Sequence, residues 1–167
     1  MKTVFRYDIA DYLEIDGSSQ KEFVLMGAGF KTLDESPGAK TDSTIYVNNK
    51  TASSTVTQYE TKFPFTADTI ADEKAVMALH KVGRDHLTGM DAEFNYVRVD
   101  LYDVGTGEGV YKARKFKVSA EISDFKGNGG DKLEVSGTLN AVGDPIQGTF
   151  NVKTKTFTAT PPAGVEE

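Results

Sequence analysis

The second half of the chain alternates apolar and polar residues in strand-length runs that glycine-rich turns interrupt. Glu93–Val104 and Val110–Phe125 are the two longest runs, and Gly105–Gly109 separates them. After a second turn at Gly127–Gly130, the alternation resumes over Leu133–Leu139. Residues two apart lie on the same face of a strand, so each run can bury one face and expose the other. The pattern predicts antiparallel strands joined by tight turns.

One segment departs from this pattern and predicts a single helix over about residues 69–87. Asp68 or Thr69 can cap this helix, Thr69 and Asp72 have the spacing of a capping box, and Leu87–Gly89 is a suitable end. The residues that share an apolar stripe at helical spacing are Ala71, Ala75, Ala78, Leu79 and Val82. Three further apolar residues lie outside this stripe: Ile70, Val76 and Met77. They predict a second apolar contact for the helix.

A long hairpin is predicted over about residues 44–65, between the Gly-rich first part of the chain and the helix. Thr44–Val47 and Thr51–Phe65 flank Asn48–Lys50, which has the length and residue types of a hairpin turn. Within Thr51–Thr61 neither alternation of residues is hydrophobic enough to cover a core. We therefore expect this strand to be paired within a larger sheet, such as one that several subunits build together.

The length of 167 residues suits one compact domain, and no linker divides the chain. We assign residues 1–159 to a single β domain and residues 160–167, with the sequence TPPAGVEE, to a loose tail. The predicted fold class is mainly β, an antiparallel β-sandwich or barrel with one flanking α-helix. Cysteine is absent, so packing rather than disulfides must hold this fold.

Charge and hydrophobicity exclude several classes of partner. The formal net charge of −6 is a poor fit for a protein that binds DNA by neutralising phosphates. Four acidic residues within the first 16 positions interrupt any secretory leader, and no run of 18 apolar residues could span a membrane. We expect a protein that is made and kept in water and has no membrane partner.

No arrangement of residues matches a catalytic, metal or nucleotide site. His80 and His86, the only histidines, are six residues apart on the predicted helix and cannot bind one metal together. The glycines of Gly105–Gly109 lack the spacing of a nucleotide loop, and no Lys-Ser or Lys-Thr pair follows them. We expect no catalytic residue, no cofactor and no metal, and a structural rather than an enzymatic role.

A basic cluster at Lys112, Arg114, Lys115 and Lys117 has two interpretations. Lys112 and Arg114 share one face of the predicted strand, and the two other lysines share the opposite face. The cluster can be a solvated strand edge that lysine protects against aggregation. Alternatively, it can pair with acidic residues, such as those of Asp68–Glu73, on a neighbouring subunit.

Four stretches resemble the major tail proteins of siphophages, in particular those of phages and prophages of Gram-positive bacteria. They are MGAGFKTLDESPGAKTDSTIYVN from Met26, HKVGRDHLTG from His80, DAEFNYVRVDLYD from Asp91, and VSGTLNAVGDPIQGTFNVKTKTFTA from Val135. The stretches follow one another in a consistent order over nearly the whole chain. None of them is a residue-exact motif.

This resemblance implies a structural virion protein that forms stacked, hexameric rings around a channel for phage DNA. Each subunit would give a hairpin to the channel wall, and the expected wall residues are Ser53, Thr55, Thr57, Tyr59 and Glu60. The loop 31–42 and the N-terminal segment would bridge rings. The expected contacts between subunits or rings are Leu33, Asp34, Glu35, Lys40, Asp42, Met77, Lys112 and Arg114.

The implied partners follow from the same resemblance. They are other copies of the chain, tape-measure, distal-tail and tail-terminator proteins, and double-stranded DNA that passes without specific binding. The implied location is the virion tail, after synthesis in the host cytoplasm.

A monomeric β-sandwich that binds carbohydrate or another surface ligand is the alternative. Exposed aromatic rings are stacking platforms for sugars, and five tyrosines could supply them: Tyr46, Tyr59, Tyr96, Tyr102 and Tyr111. Most of these tyrosines alternate with predicted core residues, and tryptophan is absent. The sequence therefore favours the tube.

Overall fold

The computed structural model describes residues 1–161 and is built almost entirely of antiparallel strands. Its strands are β1 Ile9–Asp16, β2 Lys21–Leu25, β3 Phe30–Leu33, β4 Ala39–Thr44, β5 Ser53–Tyr59, β6 Lys62–Asp68, β7 Glu93–Val104, β8 Val110–Lys126, β9 Glu134–Ala141, β10 Ile146–Asn151 and β11 Thr156–Ala159. One α-helix, α1 Lys74–Arg84, lies between β6 and β7, and 3₁₀ turns cover Arg6–Asp8 and Gly89–Ala92. The expected mainly β fold class with one helix is confirmed.

Nine of these strands form one curled sheet, which we call the body together with α1. Its main path runs β2-β1-β7-β8-β9-β6-β3, and every pair of neighbours is antiparallel. β4 and β5 form a separate two-stranded sheet. The chain therefore leaves the body after β3 and returns to it at β6.

The 17-residue strand β8 organises the body because it changes partner along its length. On one side its residues 110–115 pair with β10, while residues 118–126 pair with β9. β11 then pairs with β10 only. This change of partner folds the sheet over itself and gives two layers of buried side chains.

The larger core lies between α1 and the concave side of the sheet. Phe63, Leu79 and Leu139 are completely buried there, and the Phe63 ring makes edge contacts with Tyr96 at 4.7 Å and Phe116 at 4.9 Å between centroids. Burial of each large apolar side chain contributes about 1.5–3 kcal/mol. This layer therefore provides much of the stability of the body.

A second, smaller core lies on the other side of β7. It is formed by Tyr12, Val97, Val99, Ala113 and Phe150, with Tyr12 and Phe150 rings 4.5 Å apart. Tyr96 and Val97 are both fully buried, although they point to opposite faces of β7. Alternate side chains of β7 therefore pack into two different cores, and neither face of this part of the strand is exposed to solvent.

The helix is shorter than predicted, because it begins at Lys74 and not near Thr69. Asp68 still belongs to β6, and the backbone N–H of Thr69 donates to the carbonyl of Leu133. The predicted stripe is also partly wrong. Val76 is fully buried among the core residues Ala75, Leu79 and Val82, whereas Ala71 is exposed and precedes the helix.

The first half of the chain contains more strand than expected. The hairpin pairs β4 with β5 across residues 45–52, and residues 62–65 belong to β6 in the body. The loop predicted over residues 31–42 contains β3 and part of β4, and the N-terminal segment includes the eight-residue strand β1.

The described part of the chain ends at residue 161, just after β11. In the proposed tail 160–167, the N–H of Thr160 donates to the carbonyl of Gln147, and residues 162–167 lie outside the described part. No helix within residues 1–161 is long and apolar enough to cross a membrane.

Candidate assembly arm and its ionic root

The hairpin of β4, β5 and residues 45–52, which we call the arm, has no buried residue. β4 and β5 make their principal contacts with each other. A two-stranded hairpin with no covered face is marginal on its own in water. Both outer edges also present unpaired backbone groups, which are templates for pairing with another strand.

The tip of the arm exposes apolar side chains. Ile45, Tyr46 and Val47 are 67%, 58% and 110% exposed, respectively. They lie between two strands composed mainly of Ser, Thr and charged residues. Apolar residues in such a position are expected at sites that a partner covers.

The arm joins the body through a tightly hydrogen-bonded root. Ser36 and Lys62 exchange two backbone hydrogen bonds of 2.8 Å, and the N–H of Glu60 donates to the carbonyl of Gly38 at 3.0 Å. Gly38 has a φ of +64°, and a Cβ there would lie 2.3 Å from the Glu60 carbonyl oxygen. Only glycine fits this backbone without a shift of the root.

A group of ion pairs lies directly beneath the root. Arg114 donates to both carboxylate oxygens of Glu35, from Nη1 at 2.6 Å and from Nη2 at 2.9 Å. The Nε atom of buried Arg98 lies 3.5 Å from Glu35 and 3.7 Å from Asp11. Burial alone would raise the pKa of Glu35, but the hydrogen bonds and charges of the two arginines outweigh it and lower that pKa.

The same ionic group extends to the N-terminal turn. Asp11 is 2% exposed and accepts hydrogen bonds from the Tyr96 hydroxyl and from Arg6, whose Nη2 lies 2.6 Å away. Arg6 also donates to the backbone carbonyl of Leu33. Burial and the neighbouring Asp11 charge raise the pKa of Tyr96 well above its ordinary value, so its hydroxyl keeps its proton.

These contacts connect the first turn, β1, β7 and β8 with residues 33–35, where the chain leaves the body. Bidentate Arg–carboxylate pairs have a fixed, planar geometry. The ionic group can therefore set the direction in which the arm extends.

The predicted wall residues do not all lie on one face of β5. Cross-strand pairing is regular from Thr44 with Ser53 to Thr41 with Val56, and then shifts so that Lys40 is opposite Gln58. Thr57 is the extra residue of this β-bulge, and its hydroxyl donates to the Lys40 carbonyl.

Residues directly opposite each other share a face, so the register defines two faces of the arm. The charged face carries Lys40, Asp42, Thr44, Ser53, Thr55 and Gln58. The uncharged face carries Ala39, Thr41, Ser43, Ser54, Val56 and Tyr59. Tyr59 is thus on the face opposite Ser53 and Thr55, and the Glu60 carboxylate reaches Lys40, on the charged face, at 3.3 Å.

The predicted intersubunit contacts are scattered across the molecule. Leu33 is 2% exposed and packs in the larger core, so its side chain is too buried to contact another subunit. Glu35 and Arg114 pair with each other beneath the root, and Lys112 pairs with Asp103 at 2.9 Å. Asp34 is exposed next to the root.

Met77 lies on the outer side of α1, in a shallow groove. The half-buried floor of this groove includes Ile15, Ala78, Leu87 and Phe94.

The acidic segment Asp68–Glu73 was a possible partner for the basic cluster of a neighbouring subunit. One of its carboxylates already has a partner within the chain, because Asp68 pairs with Lys31 at 2.6 Å. The pKa of Lys31 is raised to about 12 by its hydrogen bonds to Asp68 and Glu134.

The five tyrosines considered as a sugar platform do not form one surface. Tyr96 is fully buried, Tyr46 and Tyr59 lie on the arm, and Tyr102 and Tyr111 lie on β7 and β8.

Within residues 1–161, no group of three or more His, Asp or Glu side chains is placed to hold a metal ion.

Asp11, Arg98 and Gly38 were not predicted as residues that position the arm. Asp11 and Arg98 each interrupt an apolar part of a strand, and a charge at a core position was the available signal. Gly38 follows Pro37, and this pair of residue types is typical of an ordinary turn. Its close approach to Glu60 depends on the return of the chain 22 residues later and has no local signal.

Comparison with solved structures shows the fold of phage tail-tube proteins. The chain matches a protein in the tail of an empty GTA particle, solved with C6 symmetry, with a TM-score of 0.59, 13% identity, and coverage of 94% of this chain and 100% of the other. It matches the SPP1 tail tube, a hybrid NMR and cryo-EM structure, with a TM-score of 0.61, 14% identity, and coverage of 87% of this chain and 78% of the other. No protein-family model and no curated protein matches the sequence.

Proposed function

We propose that this chain is a non-enzymatic structural subunit of a phage tail tube, of the siphophage type. Copies assemble into rings, the rings stack into a hollow tube, and the arms form the wall of a channel for double-stranded DNA. The observation that carries the proposal is a fully exposed arm on a body with the tail-tube fold.

Physical properties of the arm support this role. Its outer edges need strands as partners, and identical arms in a closed ring would supply them without leaving a free edge. Its residues are polar enough to meet water on at least one side. The buried ionic group beneath the root would hold each arm in the same direction, as a regular ring requires.

The finer expectations are parts of the same proposal. They include hexameric rings, location in the virion tail, and contacts with tape-measure, distal-tail and tail-terminator proteins. DNA would pass without specific binding, in keeping with the net charge of −6. Hosts among Gram-positive bacteria belong to the proposal through the sequence resemblance.

Electron microscopy and sedimentation of the concentrated protein test the proposal. We expect rings or hollow tubes from the full chain. In the matched variant, residues 39–59 are replaced by a two-residue Gly-Ser linker between Gly38 and Glu60, whose backbones are already hydrogen-bonded. Its body should unfold cooperatively but form no rings. A full chain that stays monomeric at all concentrations, or an armless variant that assembles equally well, would refute the proposal.

A further inference from the structure

The β-bulge at Thr57 sorts the side chains of the arm into two chemically different sets. Without the bulge, strict alternation would put Tyr59 on the face of Thr55 and separate it from Val56. With the bulge, Val56 and Tyr59 lie on one face, where they are 49% and 64% exposed. That face has no charged residue, whereas the opposite face carries Lys40 and Asp42.

We infer that the charged face lines the channel and that the uncharged face packs on the body of a second copy of this chain. The inference rests on the proposed function, and it assigns a partner to each face of the arm. Val56 and Tyr59 are then anchors between subunits, and Tyr59 is not a channel residue.

The cost of removing water distinguishes the two faces. Burial of Lys40 or Asp42 in an interface would remove a charge from water, which is costly unless a partner compensates it. The uncharged face offers an aromatic ring, a valine and small hydroxyl residues, which can be buried at much lower cost. Only the uncharged face is therefore suited to packing on protein.

The position of the body relative to the root of the arm supports the same assignment. Tyr59 lines a cleft at the arm root together with Asn140 and Ala141, at the end of β9, and the turn formed by residues 143–145 of the same chain. The root end of the uncharged face, at Tyr59, therefore lies next to the body. Val56 lies on the same face but farther from the root. In a ring, the surface beyond the root is provided by the neighbouring copy.

Two apolar side chains are exposed beside this cleft, whose lining also includes the polar residues Lys62, Asn140 and Asp144. Val142 and Ile146 flank the turn that lines the cleft, and they are 42% and 45% exposed. Each copy therefore carries one arm with an uncharged face and two exposed apolar side chains beside the root of its own arm. A head-to-tail contact of this kind repeats around a ring and uses every copy in the same way.

Single cysteines test the inference cleanly, because the chain has none of its own. Thr55→Cys and Val56→Cys place a thiol at adjacent positions on opposite faces. Both thiols should react rapidly with a small charged methanethiosulfonate reagent in unassembled protein. In assembled tubes, the thiol at position 55 should stay reactive, while that at position 56 should react about tenfold more slowly, as expected within an interface core.

A lysine pair gives a second measurement if a cysteine variant fails to assemble. Thr55→Lys should form tubes, and Val56→Lys should not, because it would bury an unpaired charge. Equal reactivity of both thiols in tubes, or tubes from Val56→Lys, would overturn the face assignment while the tube function stands. If the unmodified chain forms no tubes at all, the proposed function fails and this inference fails with it.

Discussion

Gly38 lies at the root of the arm, in a backbone conformation that favours glycine and directly against Glu60. We expect Gly38→Ala to abolish or greatly reduce tube formation, because its Cβ would collide with the Glu60 carbonyl and open the root. The positive φ adds a cost of about 1 kcal/mol for an alanine. The body should stay folded, since the arm covers little of it. Tube yield by sedimentation, with thermal unfolding of the same samples, measures both effects.

Gly89→Ala is the matched control for backbone strain. Gly89 has a φ of +59°, but nothing lies within 4 Å of the position that its Cβ would occupy. The control should lose a similar small amount of stability and still assemble. Equal assembly by both variants would mean that the root does not depend on the close approach at Gly38.

Glu35 gives a prediction about stability and pH. Glu35→Gln should lower the free energy of unfolding by roughly 1–3 kcal/mol at pH 7, because Arg114 and buried Arg98 lose a charged partner. The folded-state pKa of Glu35 lies below its ordinary value of 4.5, so its contribution is present above pH 4.5 and is lost as pH falls through the folded pKa. Urea unfolding at pH 7 and at lower pH measures the difference between the two proteins.

The difference between wild type and Glu35→Gln should therefore shrink in acid. Asp34→Asn is the control, because this neighbouring carboxylate is exposed and should change stability little at either pH. A difference for Glu35→Gln that stays constant from pH 7 down to acid would show that charge is not the cause.

Individual residues were predicted well where local pattern decides and poorly where distant chain segments meet. Leu33 was expected on an interface because the resemblance placed its segment in a loop, yet it is buried beside β6. Asp11 and Arg98 are 87 positions apart, and no local pattern reveals that they share a carboxylate–guanidinium contact with Glu35 nearby.

At the scale of elements, α1 packs so closely on β8 that glycine is required at the contact. A Cβ at Gly83 would lie 2.7 Å from Ile122 Cγ2 and 2.8 Å from the Phe125 ring. Gly83→Ala should therefore destabilise the protein by roughly 1–3 kcal/mol through overpacking. Helix propensity alone predicts the opposite sign, a gain of roughly 1 kcal/mol.

Chemical denaturation distinguishes the two signs for Gly83→Ala. Lys81→Ala, at an exposed position of the same helix, is the control and should change stability by less than about 0.5 kcal/mol. A Gly83→Ala variant more stable than wild type would show that the helix moves away from β8 at little cost.

The strands of the second half were the elements best predicted from sequence, because their alternation and glycine turns are local. Glu93–Val104 was predicted with the observed bounds. The start of the helix was not, since β-sheet pairing of Asp68 with Glu134 extends β6 into the expected cap. The hairpin was expected from the turn residues Asn48–Lys50 between two strand-like runs, but the bulge at Thr57, which decides its faces, depends on the partner strand.

At the scale of the whole molecule, the chain consists of a well-packed body and an arm without a core. The sequence showed this division, because Thr51–Thr61 lacks an apolar face while the strands after Glu93 have one. It could not show how the arm is attached. The root and its ionic group join residues of β1, β7 and β8 to the segment that follows β3, and only the fold brings them together.

The charged face of the arm leads to a prediction about DNA. Asp42 is opposite Thr55 on this face and forms no ion pair within the described residues 1–161. Thr55→Lys would add one cation per subunit beside that carboxylate. We expect such tubes to assemble but to retain short duplex DNA at low salt, because each lysine can contribute a phosphate contact. Co-sedimentation of tubes with a labelled duplex over a range of salt concentrations measures the retention.

Two controls separate a channel effect from a general effect of charge. Thr55→Ser preserves polarity without the cation and should retain no more DNA than wild type. Gln20→Lys adds the same charge at an exposed turn of the body and should retain much less DNA than Thr55→Lys, because isolated cations on an outer surface do not converge on one duplex. Retention by Thr55→Lys should also fall steeply as salt rises, since phosphate contacts release counterions. If Thr55→Lys tubes retained no more DNA than Thr55→Ser tubes, the charged face would not line a channel that DNA enters.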